Sequence, residues 1–333
     1  MDDVKDMVSK GYKSLASRTI CAYNDVCMHY NLHNVPALKR LFGMLDYICD
    51  NGDIRHLGEE GRKVFSDSII TLDLAIPERL KPFDEGSARK FAVDAMENYM
   101  HIYGIENLKS EGNITDIVMN SGQRILKWSL SEEGVVKELH LVYDPNLPAY
   151  STIGNIHEFY HAFQTEKEAI YRLLKEMSEV PGFKRLTSLA YNDPHLKEEL
   201  SRITKESHQL NYYKLPAVLE LAANEGIDTA PLSGFIEKNT PLMNFLMCYK
   251  EGDAYLKQTE ILSGSSFAKD DPRVLKLYRL MSLCDALAAA LQPLRPTIFE
   301  AGIGMAESMR MNRTSMKDCG EFHDKLTKEY FPG

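Results

Sequence analysis

The residues on which the fold prediction depends are RILKWSLSEEGVVKELHLVYDPNLP (residues 124–148) and HEFYH (residues 157–161). In Arg124–Leu130 apolar and polar side chains alternate, and a second alternating run follows a turn at Gly134. A period of two on both sides of a glycine-containing turn is typical of a β-hairpin. The prolines in Asp144–Pro148 then end the second strand. The sequence therefore predicts a hairpin that leads directly into the segment carrying HEFYH.

That segment is predicted to be a helix over about residues 152–176, and it carries the residues with the clearest chemistry. His157 and His161 are four residues apart, so both imidazoles project from one face and can bind a single tetrahedral zinc ion. Glu158 points beside the metal, where it can act as the general base for a metal-activated water. Apolar neighbours such as Phe159 indicate a buried helix, in which these polar groups need a shared partner. One alternative is a non-catalytic helical binding protein in which the motif binds metal structurally or is incidental, with both histidines on the helix surface or satisfied in the core. Another keeps the metal but hydrolyses an amide bond in a non-peptide substrate.

The His-Glu-x-x-His pattern resembles the signature of the zincin metallopeptidases. The resemblance implies a mainly helical α+β fold, in which helical regions flank a zincin-like core with a small antiparallel or mixed sheet and an active-site helix. It also implies an edge strand that binds extended peptide, for which Val135–Tyr143 is the candidate. Gln164 and Lys167 stand where metzincin relatives carry a glycine and a third histidine. The resemblance therefore implies a glutamate as the third zinc ligand, which is the gluzincin arrangement.

The candidate for this third ligand is Glu220, in the predicted short helix Pro216–Gly226. Gluzincins often carry a second residue four positions after the ligand that orients a metal-bound histidine, and Asn224 occupies that position. The amide oxygen of Asn224 can accept a hydrogen bond from an imidazole N–H. Other side chains in reach of this role are Glu225, Glu206, Asp228 and His208.

A tyrosine precedes Glu220 at an offset similar to that in lethal-factor-like bacterial peptidases. The resemblance implies that Tyr213 donates its phenol proton to the oxyanion that forms during acyl chemistry. Tyr212 is adjacent and is the alternative donor. The implied activity is a zinc-dependent endopeptidase that cleaves a specific protein, in the manner of a bacterial effector or toxin.

Helix signals outside the motif region divide the chain into three predicted parts. One helix is expected from Pro36 to Asn51, and another from Asp84 to Gly104. The run Ile69–Leu74 is ambiguous between strand and helix. The predicted parts are an N-terminal helical region (1–110), the catalytic core (111–262) and a C-terminal helical region packed on the core (263–333).

Composition restricts the partners and the compartment. The 333 residues carry a net charge of −9, which disfavours nucleic acid and anionic membranes as partners. No apolar run approaches the ~18 residues of a membrane span, and no cleavable signal peptide is visible at the start. The six cysteines are scattered, which suits reduced thiols in a cytosol. We therefore expect a protein or peptide substrate, in the cytoplasm or in a host cytosol reached without a cleaved signal, and leave the oligomeric state open.

Overall fold

The structure is a computed structural model that describes residues 4–77, 118–119, 125–130, 136–143, 157, 160, 173, 175–205, 215–263, 272–293 and 296–312. Its helices are α1 (Val4–Tyr30), α2 (Pro36–Asn51), a 3₁₀ turn (Arg55–Leu57), α3 (Gly58–Ala75), α4 (Pro181–Asn192), α5 (Pro194–Lys205), α6 (Leu215–Asn224), α7 (Ala230–Ser263), α8 (Pro272–Ala290) and α9 (Pro296–Asn312). Its strands are β1 (Val118–Met119), β2 (Ile125–Leu130) and β3 (Val136–Tyr143).

Local signals explain the bounds of α2. Pro36 occupies the first turn, where its missing N–H costs no hydrogen bond. At the other end Gly52 has a φ of 65° and donates its N–H to the Ile48 carbonyl at 2.8 Å. This left-handed conformation is one that glycine adopts without strain. The helix predicted over Pro36–Asn51 is confirmed, the ambiguous run Ile69–Leu74 is helical within α3, and the helix predicted over Asp84–Gly104 lies outside the described residues.

Helix α8 lies at the centre of the helical packing. From Leu280 to Ala290 every side chain except Asp285 is buried. A helix that is apolar on all sides must be surrounded by other elements, and α8 packs against α1, α3 and α9. Each fully buried leucine contributes about 1.5–3 kcal/mol to the free energy of folding. The helical core is therefore built from elements at both ends of the chain.

Glycines let α9 approach two neighbouring helices at backbone distance. A Cβ added at Gly11 of α1 would lie 1.8 Å from the carbonyl oxygen of Gly304. A Cβ at Gly252 of α7 would lie 2.0 Å from the carbonyl oxygen of Gly302, and one at Gly302 would lie 2.1 Å from that of Cys248. Only a residue without a side chain fits such crossings. Gly302 and Gly304 thus fix α9 against α7 and α1, respectively.

The backbone forms a three-stranded sheet with the order β1-β3-β2. Strand β3 pairs antiparallel with β2, from Ile125 opposite Val142 to Leu130 opposite Val136. It pairs parallel with β1, where Val118 lies opposite Val142. The candidate peptide-binding edge strand Val135–Tyr143 is therefore the central strand in this order, and β2 is an edge.

The predicted fold class, α+β with a sheet in the catalytic core, is wrong. Helices account for most of the described residues, and every side chain that the structure describes as buried lies on a helix, in a helical turn or at a helix end. The physical reason is that α1, α3, α8 and α9 bury their apolar faces against one another. The residues with the period-two pattern form only short strands, and none of the side chains described as buried belongs to them. The part of the chain that the structure describes is mainly helical.

The chain divides into two compact units. The first contains α1, α2, α3, α8, α9, residues from Cys248 onward in α7, and both His157 and Tyr160. The second contains α4, α5, α6 and the part of α7 up to Met247. In the second unit α4 packs on α5, and α6 contacts both. The predicted division at residues 110 and 262 stays a prediction.

Candidate functional site

The first histidine of the motif is buried against the C-terminal half of α7. His157 has α-helical backbone and only 6% of its surface is exposed. Its Nε2 atom lies 3.6 Å from Oε2 of Glu251, whose side chain is 16% exposed. The helical backbone and the burial both agree with the sequence-based expectation for this position. The carboxylate partner Glu251 was not predicted.

Aromatic rings enclose the His157 imidazole. The ring of Tyr255 lies with its centroid 4.2 Å from that of His157, at an interplanar angle of 47°. Phe299 of α9 packs edge-on against Tyr255, with centroids 6.2 Å apart. Glu251 and Tyr255 are four residues apart, so one face of α7 supplies both the carboxylate and the ring. This packing limits rotation of the imidazole and keeps its Nε2 atom directed at Glu251.

Glu251 also has a positive neighbour. The Nζ atom of Lys250 lies 3.7 Å from Oε1 of Glu251, and only 5% of the lysine side chain is exposed. A buried ammonium and a partly buried carboxylate each lose solvation, and their mutual attraction offsets part of that cost. Together the two contacts place the two oxygens of one carboxylate between a histidine and a lysine.

A second link joins the motif segment to α7. The hydroxyl of Tyr160 donates a hydrogen bond to Oδ2 of Asp253 at 2.5 Å. Tyr160 is 5% exposed and has helical backbone, as His157 does. A hydrogen bond to an ionised acceptor is stronger than one between neutral groups. Tyr160 and Asp253 thus anchor the same segment that presents His157.

The His157–Glu251 pair fits the spacing of two ligands on one zinc ion. Zinc binds imidazole nitrogen at about 2.0–2.1 Å and carboxylate oxygen at about 2.0–2.2 Å in tetrahedral sites, which puts two ligand atoms about 3.3–3.5 Å apart. The observed 3.6 Å between Nε2 and Oε2 is close to this value. Among the described residues, no three side chains of the types His, Cys, Asp and Glu lie close enough together to hold one metal ion. His161, the predicted second histidine, lies outside the described residues, as does Glu158.

The predicted third ligand is in a different setting. Glu220 and Asn224 are exposed on α6, in the second unit, whereas His157 and Glu251 both belong to the first. Among the alternatives, Glu225 is exposed, and exposed Asp228 accepts a hydrogen bond from the Ala230 N–H at 3.0 Å near the start of α7. The remaining predicted residues, which are Glu206, His208, Tyr212 and Tyr213, lie outside the described residues.

One sequence signal could have pointed to Glu251. The run Lys250-Glu251-Gly252-Asp253 places three charges around a glycine, between Phe245–Cys248 and Ala254, which are all buried. Charges on a helix that is otherwise largely buried need partners, and a glycine there marks a close backbone approach. The local sequence therefore indicates that these charged residues need partners but does not identify them. The partner of Asp253, for example, is Tyr160, which is 93 residues away in the sequence.

Comparison with protein-family models, curated proteins and solved structures finds no match to this chain. Among the helices in the described part of the chain, none combines the length and apolar character that crossing a membrane requires.

Proposed function

We propose that this chain is a zinc-dependent peptidase whose metal ligands are His157, His161 and Glu251. The observation that carries the proposal is the contact in which Nε2 of the buried His157 lies 3.6 Å from Oε2 of the partly buried Glu251. The residue four positions after His157 is a second histidine, and on a helix it shares the face of the first. Two imidazoles and one carboxylate form the ligand set of the gluzincin type. Glu251 replaces Glu220 as the favoured third ligand because Glu251 contacts His157 within one compact unit.

When bound, zinc supplies a Lewis acid that polarises a carbonyl group and lowers the pKa of water. Glu158 follows His157 directly, and its carboxylate accepts the proton that the attacking water loses and later delivers it to the leaving amine. Tyr255 covers the imidazole and limits the access of solvent to it. Tyr213, or Tyr212 beside it, is the proposed donor to the oxyanion.

We propose a protein or peptide as the substrate. The net charge of −9 suits a partner with basic character. The further step, that the chain is an effector acting on a specific protein in a host cytosol, rests on the resemblance of its motif alone.

A second candidate function is a non-catalytic helical binding protein. The contact that favours it is the same one, because 3.6 Å also suits a direct ion pair between a protonated His157 and Glu251. In this case Lys250, Glu251 and His157 form a buried charge network that needs no metal. The two candidates differ in whether the purified chain binds zinc with one ion per chain.

The test measures zinc content and zinc affinity in the full chain and in matched variants. Glu251→Gln and His157→Ala are expected to lose stoichiometric zinc, whereas Glu220→Gln, on exposed α6, is expected to keep it. Glu158→Gln is expected to retain zinc and to lose cleavage of a denatured protein such as casein, or of a peptide library. If the wild-type chain binds no zinc after incubation with it, the peptidase proposal is wrong. If Glu220→Gln loses zinc and Glu251→Gln keeps it, the assignment of the third ligand is wrong.

A further inference from the structure

We infer that Tyr160 and Asp253 form a positioning clasp, which orients His157 toward Glu251 and thereby sets the affinity of the site for zinc. The inference rests on the proposed function and adds two residues that do not themselves bind metal. Their hydrogen bond joins the motif segment to α7, in addition to the contacts that His157 makes with Glu251 and Tyr255.

The two links approach α7 from different sides. In an α-helix successive residues are rotated by about 100°, so residues two apart lie on nearly opposite flanks. Glu251 and Asp253 are separated by Gly252 alone, and Gly252 faces the backbone of Gly302 in α9. The motif segment therefore meets Glu251 on one flank of α7 and Asp253 on the other. The contacts of His157 with Glu251 and Tyr255 lie on one face of α7, so the Tyr160–Asp253 bond adds a restraint on the other flank.

The hydrogen bond between Tyr160 and Asp253 is shielded from water. Tyr160 is 5% exposed, and its phenol donates to a carboxylate rather than to a neutral acceptor. His157 and Tyr160 are three residues apart and both have helical backbone, a spacing that places two side chains on neighbouring positions of one helix face. Zinc–nitrogen bonds tolerate errors of only about 0.2 Å, so a small rotation of the segment weakens the metal site. Residues that orient metal ligands in this way typically change metal affinity about 10- to 100-fold when they are altered.

The matched control is Tyr12 of α1. Its hydroxyl donates to the Glu300 carbonyl at 2.7 Å, and the side chain is buried. Tyr12→Phe and Tyr160→Phe each remove one buried phenol hydrogen bond and leave the ring in place. The two variants differ in whether the lost bond lies beside the proposed metal site.

The experiment determines the zinc dissociation constant of the full chain by competition with a chromogenic chelator. Tyr160→Phe and Asp253→Ala are each expected to weaken zinc binding about 10- to 100-fold. The double variant is expected to be no weaker than either single one, because both remove the same bond. Tyr12→Phe is expected to bind zinc as the wild type does. Far-UV circular dichroism confirms that each variant is folded.

The outcomes separate the clasp from the function on which it rests. If the wild-type chain binds no zinc, the proposed metal site and the clasp are both overturned. If the wild type binds zinc and Tyr160→Phe binds it with unchanged affinity, or loses no more than Tyr12→Phe, only the clasp is overturned. Should Tyr160→Phe fail to fold, Asp253→Leu keeps a similar side-chain volume and removes the hydrogen-bond acceptor. Weaker zinc binding by this variant supports the clasp, and an unchanged dissociation constant contradicts it.

Discussion

The two buried glutamates of α9, Glu300 and Glu307, differ in the partners available to their carboxyl groups. Glu307 is 1% exposed, and its two oxygens accept bonds from Ser14 at 2.8 Å and Arg18 at 2.6 Å. Glu300 is also buried, and Arg55 approaches it at 3.5 Å from an exposed position. Burial raises the pKa of Glu300 to about 7, and the partly solvated Arg55 only partly counters this. Glu307 thus has a hydrogen-bond donor for each carboxyl oxygen, whereas Glu300 keeps its proton up to about pH 7.

Replacing Glu307 with Ala is expected to lower the free energy of unfolding by about 2–4 kcal/mol, because the change leaves Arg18 partly buried without its counter-charge. The measurement is urea unfolding at pH 7. Glu59→Ala is the control, since Glu59 pairs with Arg62 at 3.6 Å on the surface. Its loss should lower the free energy of unfolding by less than about 1 kcal/mol. Equal losses in the two variants would contradict the assignment of a structural role to the Arg18–Glu307 pair.

Replacing Glu300 with Gln is expected to change how stability depends on pH. A pKa that folding raises means that the folded state holds the proton more tightly than the unfolded state does. The protonated Glu300 side chain therefore contributes fully to the stability of the folded state below about pH 4.5, and this contribution is lost as the pH rises through about 7. Glu300→Gln carries no charge to desolvate, so it should be more stable than the wild type at pH 8, by on the order of 2–3 kcal/mol, and similar to it at pH 4.5. Urea unfolding at both pH values measures the difference, and a less stable variant at pH 8 contradicts the prediction.

At the scale of elements, the crossing of α7 and α9 positions the candidate site. Gly302 meets the Cys248 carbonyl, one turn before Glu251, and Gly252 meets Gly302 itself. The neighbouring Phe299 packs on Tyr255, which in turn covers His157. The location of Glu251 therefore depends on glycines that have no chemistry of their own.

Gly302→Ala is expected to destabilise the chain by about 2 kcal/mol or more, because the added Cβ overlaps backbone that cannot move without separating the helices. The control is Gly43→Ala on the exposed side of α2, where an added Cβ meets no atom within 4 Å. That change should stabilise the chain by about 0.5–1 kcal/mol, since alanine favours the helix. Thermal unfolding of both variants measures the contrast, and a neutral Gly302→Ala would show that the crossing can relax.

Sequence reasoning succeeded where the deciding forces are local. The bounds of α2 follow from Pro36 and Gly52, and the burial of His157 follows from its apolar neighbours. It failed for the fold class, because alternation in Arg124–Leu130 is a local pattern, while the core is decided by which helices meet. It also missed Glu251, since a carboxylate on a distant helix leaves no trace beside HEFYH. The spacing of Glu220 and Asn224, which resembles the gluzincin pattern, made Glu220 the candidate, yet its side chain is exposed on α6.

For the whole molecule, a ligand that binds only the folded state must stabilise it. Under the proposed function, zinc at 100 times its dissociation constant adds about 2.7 kcal/mol to the stability of the unit that binds it. The melting temperature of the wild-type chain should therefore rise with zinc concentration, by several degrees at saturation. Glu251→Gln should show a much smaller rise, while Glu220→Gln should follow the wild type. An identical response in Glu251→Gln and the wild type would point to zinc binding elsewhere.

The contact between α1 and α9 also sets how late in synthesis the helical core can be completed. The Tyr12 hydroxyl and the Glu300 carbonyl that it bonds are 288 residues apart. At a synthesis rate of about 5–20 residues per second, α1 waits roughly 15–60 s on the ribosome before its partner helix exists. During that interval α9 does not yet cover the apolar face of α1, which includes Leu15 and Val26, and exposed apolar surface of this kind favours aggregation or chaperone binding. His157 and Glu251 are both translated before α9, so the packing of Phe299 on the Tyr255 ring that covers His157 forms only after α9 has been synthesised.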